Sequence, residues 1–111
     1  MFNLNAQADP KTESQEDSIT LGPLFVKNYS NDAFRVLEYI DDNSTEEYGV
    51  CEFSGNQSEI AKNLGHSKVT VNRLIRQLQN DKLIRISNRT RGKYQVTEKG
   101  KELIKKMNNV L

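Results

Sequence analysis

Apolar side chains recur every three or four positions in some parts of the chain and at every second position in others. The first spacing is typical of a helix with one buried face, and the second is typical of a strand. The pattern predicts helices over about 31–42, 67–80 and 98–111, and strands over 83–87 and 93–97. Loops and short polar segments separate these elements.

A shorter helix is predicted just before the second of these helices. Asn56 is a favoured N-cap residue, and Glu59 follows three positions later in a variant of the capping box. Gly65 suits the left-handed conformation in which helices often end, and Ser67 can cap the next helix. Ala61 offers the small side chain that lets two helices cross closely. Two helices joined by so short a turn predict a helix-turn-helix.

The two predicted strands are separated by the polar segment "NRTRG", which has the length and chemistry of a hairpin loop. A hairpin directly after the helix-turn-helix is expected to form a wing, and Thr97 can cap the helix that follows it. The expected fold class is therefore mainly α with a small β-hairpin wing (α+β), a winged helix-turn-helix.

The first 22 residues differ in composition from the rest of the chain. They are polar and acidic, and they offer few apolar side chains to offset the entropy of ordering. We expect residues 1–22 to form a flexible acidic N-terminal tail and residues 23–111 to form the winged helix-turn-helix domain.

The formal net charge is only +1, but the charge is distributed unevenly. Residues 1–53 hold three Lys and Arg against eleven Asp and Glu, a net charge of −8, whereas residues 54–111 hold thirteen against four, a net charge of +9. A phosphate-binding surface with an acidic appendage has this asymmetry, because each phosphate contacted needs a cation. A solvated basic face would have it as well.

Burial of one side of the helix at 67–80 would leave a polar and basic face exposed. Arg can pair with guanine in the DNA major groove, Asn with adenine, and an apolar group can contact the thymine methyl. Ser and Thr near a helix N-terminus suit phosphate oxygens. The alternative is an ordinary solvated helix face, but the cap, turn and small-residue signals coincide with the basic residues. The candidate DNA-binding residues are Ser67, Lys68, Val69, Thr70, Asn72, Arg73 and Arg76.

The predicted wing carries a second group of cations, Arg85, Arg89, Arg91 and Lys93. The last three lie at or beside the hairpin tip, where they could follow the flanking phosphate backbone or enter a narrow minor groove. A hairpin that is merely well solvated would also account for them. Together with the helix face, they predict a sequence-specific double-stranded DNA-binding protein.

Two segments resemble a known family. Residues 57–76, "QSEIAKNLGHSKVTVNRLIR", look like the helix-turn-helix of winged-helix regulators, and "NDKLIRIS…RGKYQVTEKGKELI" is similar to the wing and following helix of the MarR-type branch. The resemblance implies a DNA-binding fold, usually dimeric, that acts on transcription. MarR-type proteins commonly have Gly at the position of Lys82, so we expect Asn80 or Asp81 to adopt the strained turn conformation here.

The resemblance to dimeric regulators raises the question of a homodimer through helix 98–111. Its apolar stripe could contact a second copy, although packing on helix 31–42 is the more common fate of such a stripe. The stripe consists of Leu103, Ile104, Met107 and Leu111. The sequence identifies no small-molecule effector.

Two other functions use the same fold. The first is a plasmid or phage replication or copy-control protein, which would bind an origin with the same surface. The second is a winged helix used as a protein-interaction module. Substituting Arg73 with alanine would leave the function of an interaction module intact.

The remaining sequence features predict neither an enzyme nor a cofactor. There is no Gly-rich phosphate loop and no nucleophile in a recognisable motif, and one Cys with one His is too few for a usual zinc site. Cys51, on a predicted strand over 50–53, is expected to be a small buried hydrophobe rather than a redox sensor. No apolar stretch is long enough for a membrane span, and we expect a cytoplasmic protein.

Overall fold

The computed structural model of the protein describes residues 21–87 and 93–110. Helices dominate this part of the chain, and its strands form two antiparallel two-stranded sheets. The predicted fold class, mainly α with a β-hairpin wing, is confirmed. The elements are α1 (Pro23–Asn28), α2 (Asn31–Asp42), β1 (Thr45–Glu47), β2 (Val50–Glu52), α3 (Gln57–Leu64), α4 (Lys68–Asn80), β3 (Ile84–Ile86), β4 (Tyr94–Val96) and α5 (Glu98–Val110).

Helix α2 lies at the centre of the packing and contacts α3, α4, α5 and β4. Its N-cap is Ser30, whose hydroxyl accepts a hydrogen bond from the backbone N–H of Ala33. The apolar residues that predicted this helix are all buried, as a 3.6-residue period requires. The buried core of the described residues is Leu21, Val26, Ala33, Val36, Leu37, Ile40, Phe53, Ile60, Ala61, Val71, Leu74, Ile75, Leu78, Leu83, Ile84 and Leu103.

The predicted helix-turn-helix is formed by α3 and α4. Asn56 caps α3 by accepting a hydrogen bond from the N–H of Glu59 at 2.9 Å. Gly65 ends α3 at φ 75°, a left-handed conformation that glycine adopts without a steric cost. Ser67 then caps α4 through the N–H of Thr70 at 3.1 Å. The sequence signals for both ends of the turn are confirmed.

The end of α4 differs from the expectation. Asp81 has φ −84° and Asn80 is still helical, whereas Lys82 adopts the left-handed conformation with φ 66°. The reason is the hydrogen bonding of the helix end: the N–H of Leu83 reaches back to the carbonyl of Leu78. That pattern requires a left-handed residue just before the buried Leu83. The prediction that Asn80 or Asp81 would adopt this conformation is therefore wrong.

A β-hairpin that the sequence did not predict precedes α3. Strands β1 and β2 pair in the register Thr45 with Glu52 and Glu47 with Val50. The two residues between the strands, Tyr48 and Gly49, both have positive φ, 54° and 78°, as a tight two-residue hairpin turn requires. The segment before residue 50 was expected to be a loop because its side chains are polar, and its strand is indeed exposed throughout.

Cys51 is exposed, so the prediction of a buried hydrophobe at this position is wrong. The alternation of buried and exposed residues is interrupted at the end of β2, where Glu52 and Phe53 are both buried. There the chain leaves β1, and the backbone of Phe53 exchanges two hydrogen bonds with Tyr94 of β4. A strand that changes partner no longer follows a period of two.

The wing strands β3 and β4 pair Ile84 with Val96 and Ile86 with Tyr94, which places these four side chains on one face of the hairpin. Thr97 caps α5 by accepting a hydrogen bond from the N–H of Gly100 at 3.1 Å. A Cβ atom on Gly100 would overlap the backbone carbonyl of Leu83 and the side chain of Val96. The glycine therefore allows α5 to pack directly on the base of the wing.

The N-terminal end of the described chain adds a helix that the sequence did not predict. Helix α1 begins with Pro23 at its first position, directly after its N-cap residue Gly22. Leu21, which the prediction assigned to the tail, is buried. The remaining 20 residues of the predicted tail lie outside the described residues. Within the described chain, no helix has both the length and the apolar character that crossing a membrane requires.

Candidate nucleic-acid interface

The surface of α4 opposite the core is exposed along successive turns of the helix. The side chain of Val69 is 81% exposed, and Lys68, Arg73 and Arg76 are also exposed. The stripe of α4 that faces the core is buried, so the helix cannot rotate about its axis without exposing apolar residues. The structure therefore presents an apolar side chain and two guanidinium groups together on one exposed helix face.

Two of the predicted phosphate contacts at the start of α4 have partners within the protein. The hydroxyl of Ser67 accepts from the N–H of Thr70 and also donates to the hydroxyl of Thr70 at 3.0 Å. Both residues lie at the N-terminal end of α4, where backbone N–H groups are not used within the helix. Their hydroxyls thus shape the helix end as well as bordering the exposed face.

Asn72 lies at the edge of this face and is half-buried rather than exposed. Its Nδ2 donates a hydrogen bond to Oε1 of Gln57, 3.3 Å away, at the start of α3. Nε2 of Gln57 in turn donates to the hydroxyl of Tyr94 on β4, again at 3.3 Å. Gln57 and Tyr94 were not predicted to lie beside this face, because neither position carries a local signal and their contacts depend on how α3, α4 and β4 pack together.

The wing cations are less free than the sequence predicted. Arg85 is exposed, but its Nε donates to Oε1 of Gln95 at 2.8 Å. Lys93 is only 27% exposed, and its Nζ lies 4.0 Å from Oε1 of Glu52. Arg89 and Arg91 lie outside the described residues.

Glu52 is a buried carboxylate that holds the base of the wing against β2. It is 6% exposed, and its Oε2 accepts hydrogen bonds from the hydroxyl of Ser87 and, at 3.0 Å, from Nε2 of Gln95. With Lys93 close to its other oxygen, Glu52 contacts both sides of the hairpin. A buried charge is tolerated where hydrogen bonds and an opposite charge compensate it.

The C-terminal end of α4 is held by a second polar cluster. The hydroxyl of Tyr29 donates to Oδ2 of Asp81 at 2.7 Å, and Nζ of Lys99 donates to the carbonyl of Asp81 at 2.9 Å. The same Lys99 lies over the ring of Phe25, 5.0 Å from its centroid. Burial, together with the hydrogen bond to Asp81 and its negative charge, raises the pKa of Tyr29 well above the ordinary value near 10.

The described residues include no cluster of three or more His, Cys, Asp or Glu side chains that could hold a metal ion. The candidate interface is thus a helix face with two arginines, a lysine and an exposed valine, beside a hairpin with further cations. These side chains suit a ligand that combines phosphate charges with hydrogen-bond acceptors on base edges, as a nucleic acid does.

The model of a Crp-like helix-turn-helix domain matches residues 34–100, from the fourth residue of α2 through the wing to the first turn of α5. The chain belongs to this family. The match confirms the winged helix-turn-helix and supports a DNA-binding transcriptional regulator, the function class that the sequence predicted. The family is one of regulatory DNA-binding domains rather than of enzymes.

The more specific resemblance to the MarR-type branch is not supported, because the matching family is Crp-like. The residues that suggested it have general structural roles in this fold. Thr97 caps α5, and Gly100 allows α5 to approach Leu83. Such roles arise wherever a helix packs closely behind a wing, so they do not separate the branches.

Among solved structures, the chain is similar to the reduced (Fe(II)) CO-sensing protein from R. rubrum. The match has a TM-score of 0.57 at 16% sequence identity and covers 73% of this chain. It covers 38% of the other chain, so this protein spans little more than a third of the length of the protein it resembles. The likeness shows a shared fold. No curated protein matches the chain.

Proposed function

We propose that the protein is a sequence-specific regulator of transcription that places α4 in the major groove of double-stranded DNA. One observation carries the proposal: Val69, Arg73 and Arg76 project together from a helix whose opposite face is buried. A helix of this kind fits the major groove, where guanidinium groups read guanine and an apolar group meets the thymine methyl. Lys68, in the first turn, would contact a phosphate or a base edge beside them.

In the same complex, the wing would lie along the flanking backbone or minor groove. Arg85 is the described wing cation with the most exposed position, and Arg89 and Arg91 remain candidates from the sequence. Lys93 would contribute less, because Glu52 already compensates its charge. Ser67 and Thr70 would approach phosphate oxygens at the N-terminus of α4.

We further propose a homodimer that buries the apolar surface between α1 and α5. A cleft between α1 and α5 is lined by Leu21, Val26 and Met107 together with a lysine of each helix, and Leu24, the residue after the cleft-lining Pro23, is 71% exposed. A two-fold dimer would present two copies of α4 to half-sites about one DNA turn apart, roughly 34 Å. Analytical ultracentrifugation of the wild type and of Leu24→Asp tests this, since a dimer through this surface should dissociate in the variant. We also propose that the protein acts in the cytoplasm.

The function is tested by selecting binding sites from a randomised duplex-DNA pool at two salt concentrations, with the wild type and Arg73→Ala. A motif that is enriched by the wild type and relaxed in the variant supports direct base reading. Its occurrence at promoters rather than at a replication origin separates a transcriptional regulator from a replication protein. Absence of both enrichment and salt-dependent binding would contradict the proposal and favour the protein-interaction module.

A further inference from the structure

Three elements meet at a series of side-chain hydrogen bonds beside the exposed face of α4. Asn72 lies on the second turn of α4, Gln57 is the first residue of α3, and Tyr94 lies on the second wing strand. The bonds run in one direction, from Nδ2 of Asn72 to Gln57 and from Nε2 of Gln57 to the hydroxyl of Tyr94, each at 3.3 Å. All three side chains are half-buried, so these hydrogen bonds are partly shielded from water.

The hydrogen bond to Gln57 leaves part of the hydrogen-bonding capacity of Asn72 available for a ligand. A carboxamide has two N–H donors and one carbonyl acceptor, and Gln57 takes one of the donors. Within the described residues, the other N–H and the Oδ1 atom of the same planar group make no hydrogen bond. Adenine presents the complementary pair in the major groove, with N7 as acceptor and the N6 amino group as donor.

Gln57 also favours one orientation of the Asn72 amide. While Nε2 of Gln57 is bonded to the hydroxyl of Tyr94, its Oε1 faces Asn72, so rotating the Asn72 amide by half a turn would place Oδ1 opposite another acceptor. The unrotated amide is thus favoured before any DNA arrives, which lowers the entropy lost when the contact forms. Arg73, the next residue, is exposed and has no hydrogen bond or ion pair from its side chain to the described residues. Its side chain is therefore not oriented by the protein before DNA binds.

We propose that Gln57 is a specificity-determining positioning residue, which orients the amide of Asn72 to read an adenine without contacting the base itself. The proposal rests on the proposed function, because it requires α4 to lie in the major groove. It assigns one adenine in each half-site to Asn72 and makes that preference depend on a residue of the neighbouring helix.

The test compares site selection from a randomised duplex pool by the wild type and four variants. Asn72→Ala removes the reading group, and Gln57→Met removes the amide while keeping the length of the side chain. Gln57→Glu keeps an oxygen that accepts from Asn72. Ser58→Ala is the matched control, an exposed polar side chain one position along α3.

We expect the wild type to enrich adenine at one position, and both Asn72→Ala and Gln57→Met to lower that preference about tenfold while the other positions keep theirs. Gln57→Glu should keep the adenine preference although its carboxylate weakens binding to every sequence. Ser58→Ala should keep the whole motif. General destabilisation of the fold would weaken the preference at every base position. A loss of preference confined to the adenine position, with that preference retained in Gln57→Glu, would therefore indicate the specific role of Gln57.

Two results would overturn the inference and leave the proposed function standing: an adenine preference unchanged in Gln57→Met, or a wild-type motif whose bases do not depend on Asn72. A wild type that enriches no motif would overturn both proposals. A second measurement needs no DNA. The side-chain amide signals of Asn72 in NMR relaxation should show faster motion in Gln57→Met than in the wild type, with backbone spectra confirming the fold, and equal motion would contradict the inference.

Discussion

The two surfaces proposed to meet DNA, the face of α4 and the wing, differ in how freely their cations project. Arg73 and Arg76 are exposed on α4, whereas Lys93 on the wing lies beside the buried carboxylate of Glu52, and the Nε of Arg85 donates to Gln95. The same residue types were predicted to bind DNA in both places. A cation on a regular helix, opposite a buried stripe, therefore remains available for DNA. A cation on the hairpin is available only where no acidic or polar side chain from another part of the protein lies beside it.

The largest effect is expected from breaking the anchor of the wing with Glu52→Ala. We expect the free energy of unfolding to fall by about 3 kcal/mol, because Ser87, Gln95 and Lys93 would lose a buried partner. Urea denaturation measures the change. Glu46→Ala, an exposed position on the preceding hairpin, is the matched control and should change stability by less than about 0.5 kcal/mol. Equal effects of the two substitutions would refute the anchoring role of Glu52.

The next effect concerns the face of α4. Arg73→Ala should weaken binding to the selected site by about 1–3 kcal/mol, because a bidentate base contact is lost. Fluorescence anisotropy with labelled duplex measures the affinity. Arg35→Ala removes the same side chain from an exposed position on α2 and should have little effect. If both variants lose affinity equally, overall charge rather than base reading explains the binding.

A smaller effect is expected at the C-terminal end of α4, where Tyr29 bonds to Asp81. Tyr29→Phe should lower the free energy of unfolding by about 1 kcal/mol near neutral pH through loss of that hydrogen bond. Tyr48→Phe, whose ring is 94% exposed, is the control.

The pH dependence of this effect has a definite sign. Because the pKa of Tyr29 is raised in the folded protein, its contribution is complete below the unfolded value near 10 and declines as the pH rises above it. Unfolding measured from pH 7 to about pH 11 should therefore show a steeper alkaline loss of stability in the wild type than in Tyr29→Phe. Parallel curves would contradict the raised pKa.

The smallest effect sharpens the comparison directly. Lys68→Met, at an exposed position in the first turn of α4, should reduce the slope of log affinity against log salt by about one, whereas Lys93→Met should reduce it by less than about half as much. The reason is that the carboxylate of Glu52 already lies near the ammonium group of Lys93 and partly neutralises its charge, which weakens its interaction with a phosphate. Titrations at four or more salt concentrations measure both slopes. A larger loss in Lys93→Met would show that the wing is the stronger phosphate contact.

Local signals predicted four of the five helices in the described residues, together with both ends of the turn between α3 and α4. The Asn56 and Ser67 caps, the left-handed Gly65 and the buried stripe of α4 are all present, because each depends on residues within one or two turns. The predictions for Cys51 and for the turn after α4 were wrong because both positions depend on contacts with distant parts of the chain. The alternation of burial ends in β2 where the strand changes its pairing partner. The left-handed conformation of Lys82 follows from the helix end that places Leu83 in the core.

For the candidate site, helical periodicity is enough to establish which side of α4 is exposed, since it allows one buried face and places the polar residues opposite it. Whether each of those residues is free to contact DNA depends on the tertiary structure. Glu52 reaches Gln95 across 43 positions, and Gln57 reaches Asn72 across 15. Contacts over such separations depend on how elements pack, and no local pattern encodes which polar side chains will meet when they do.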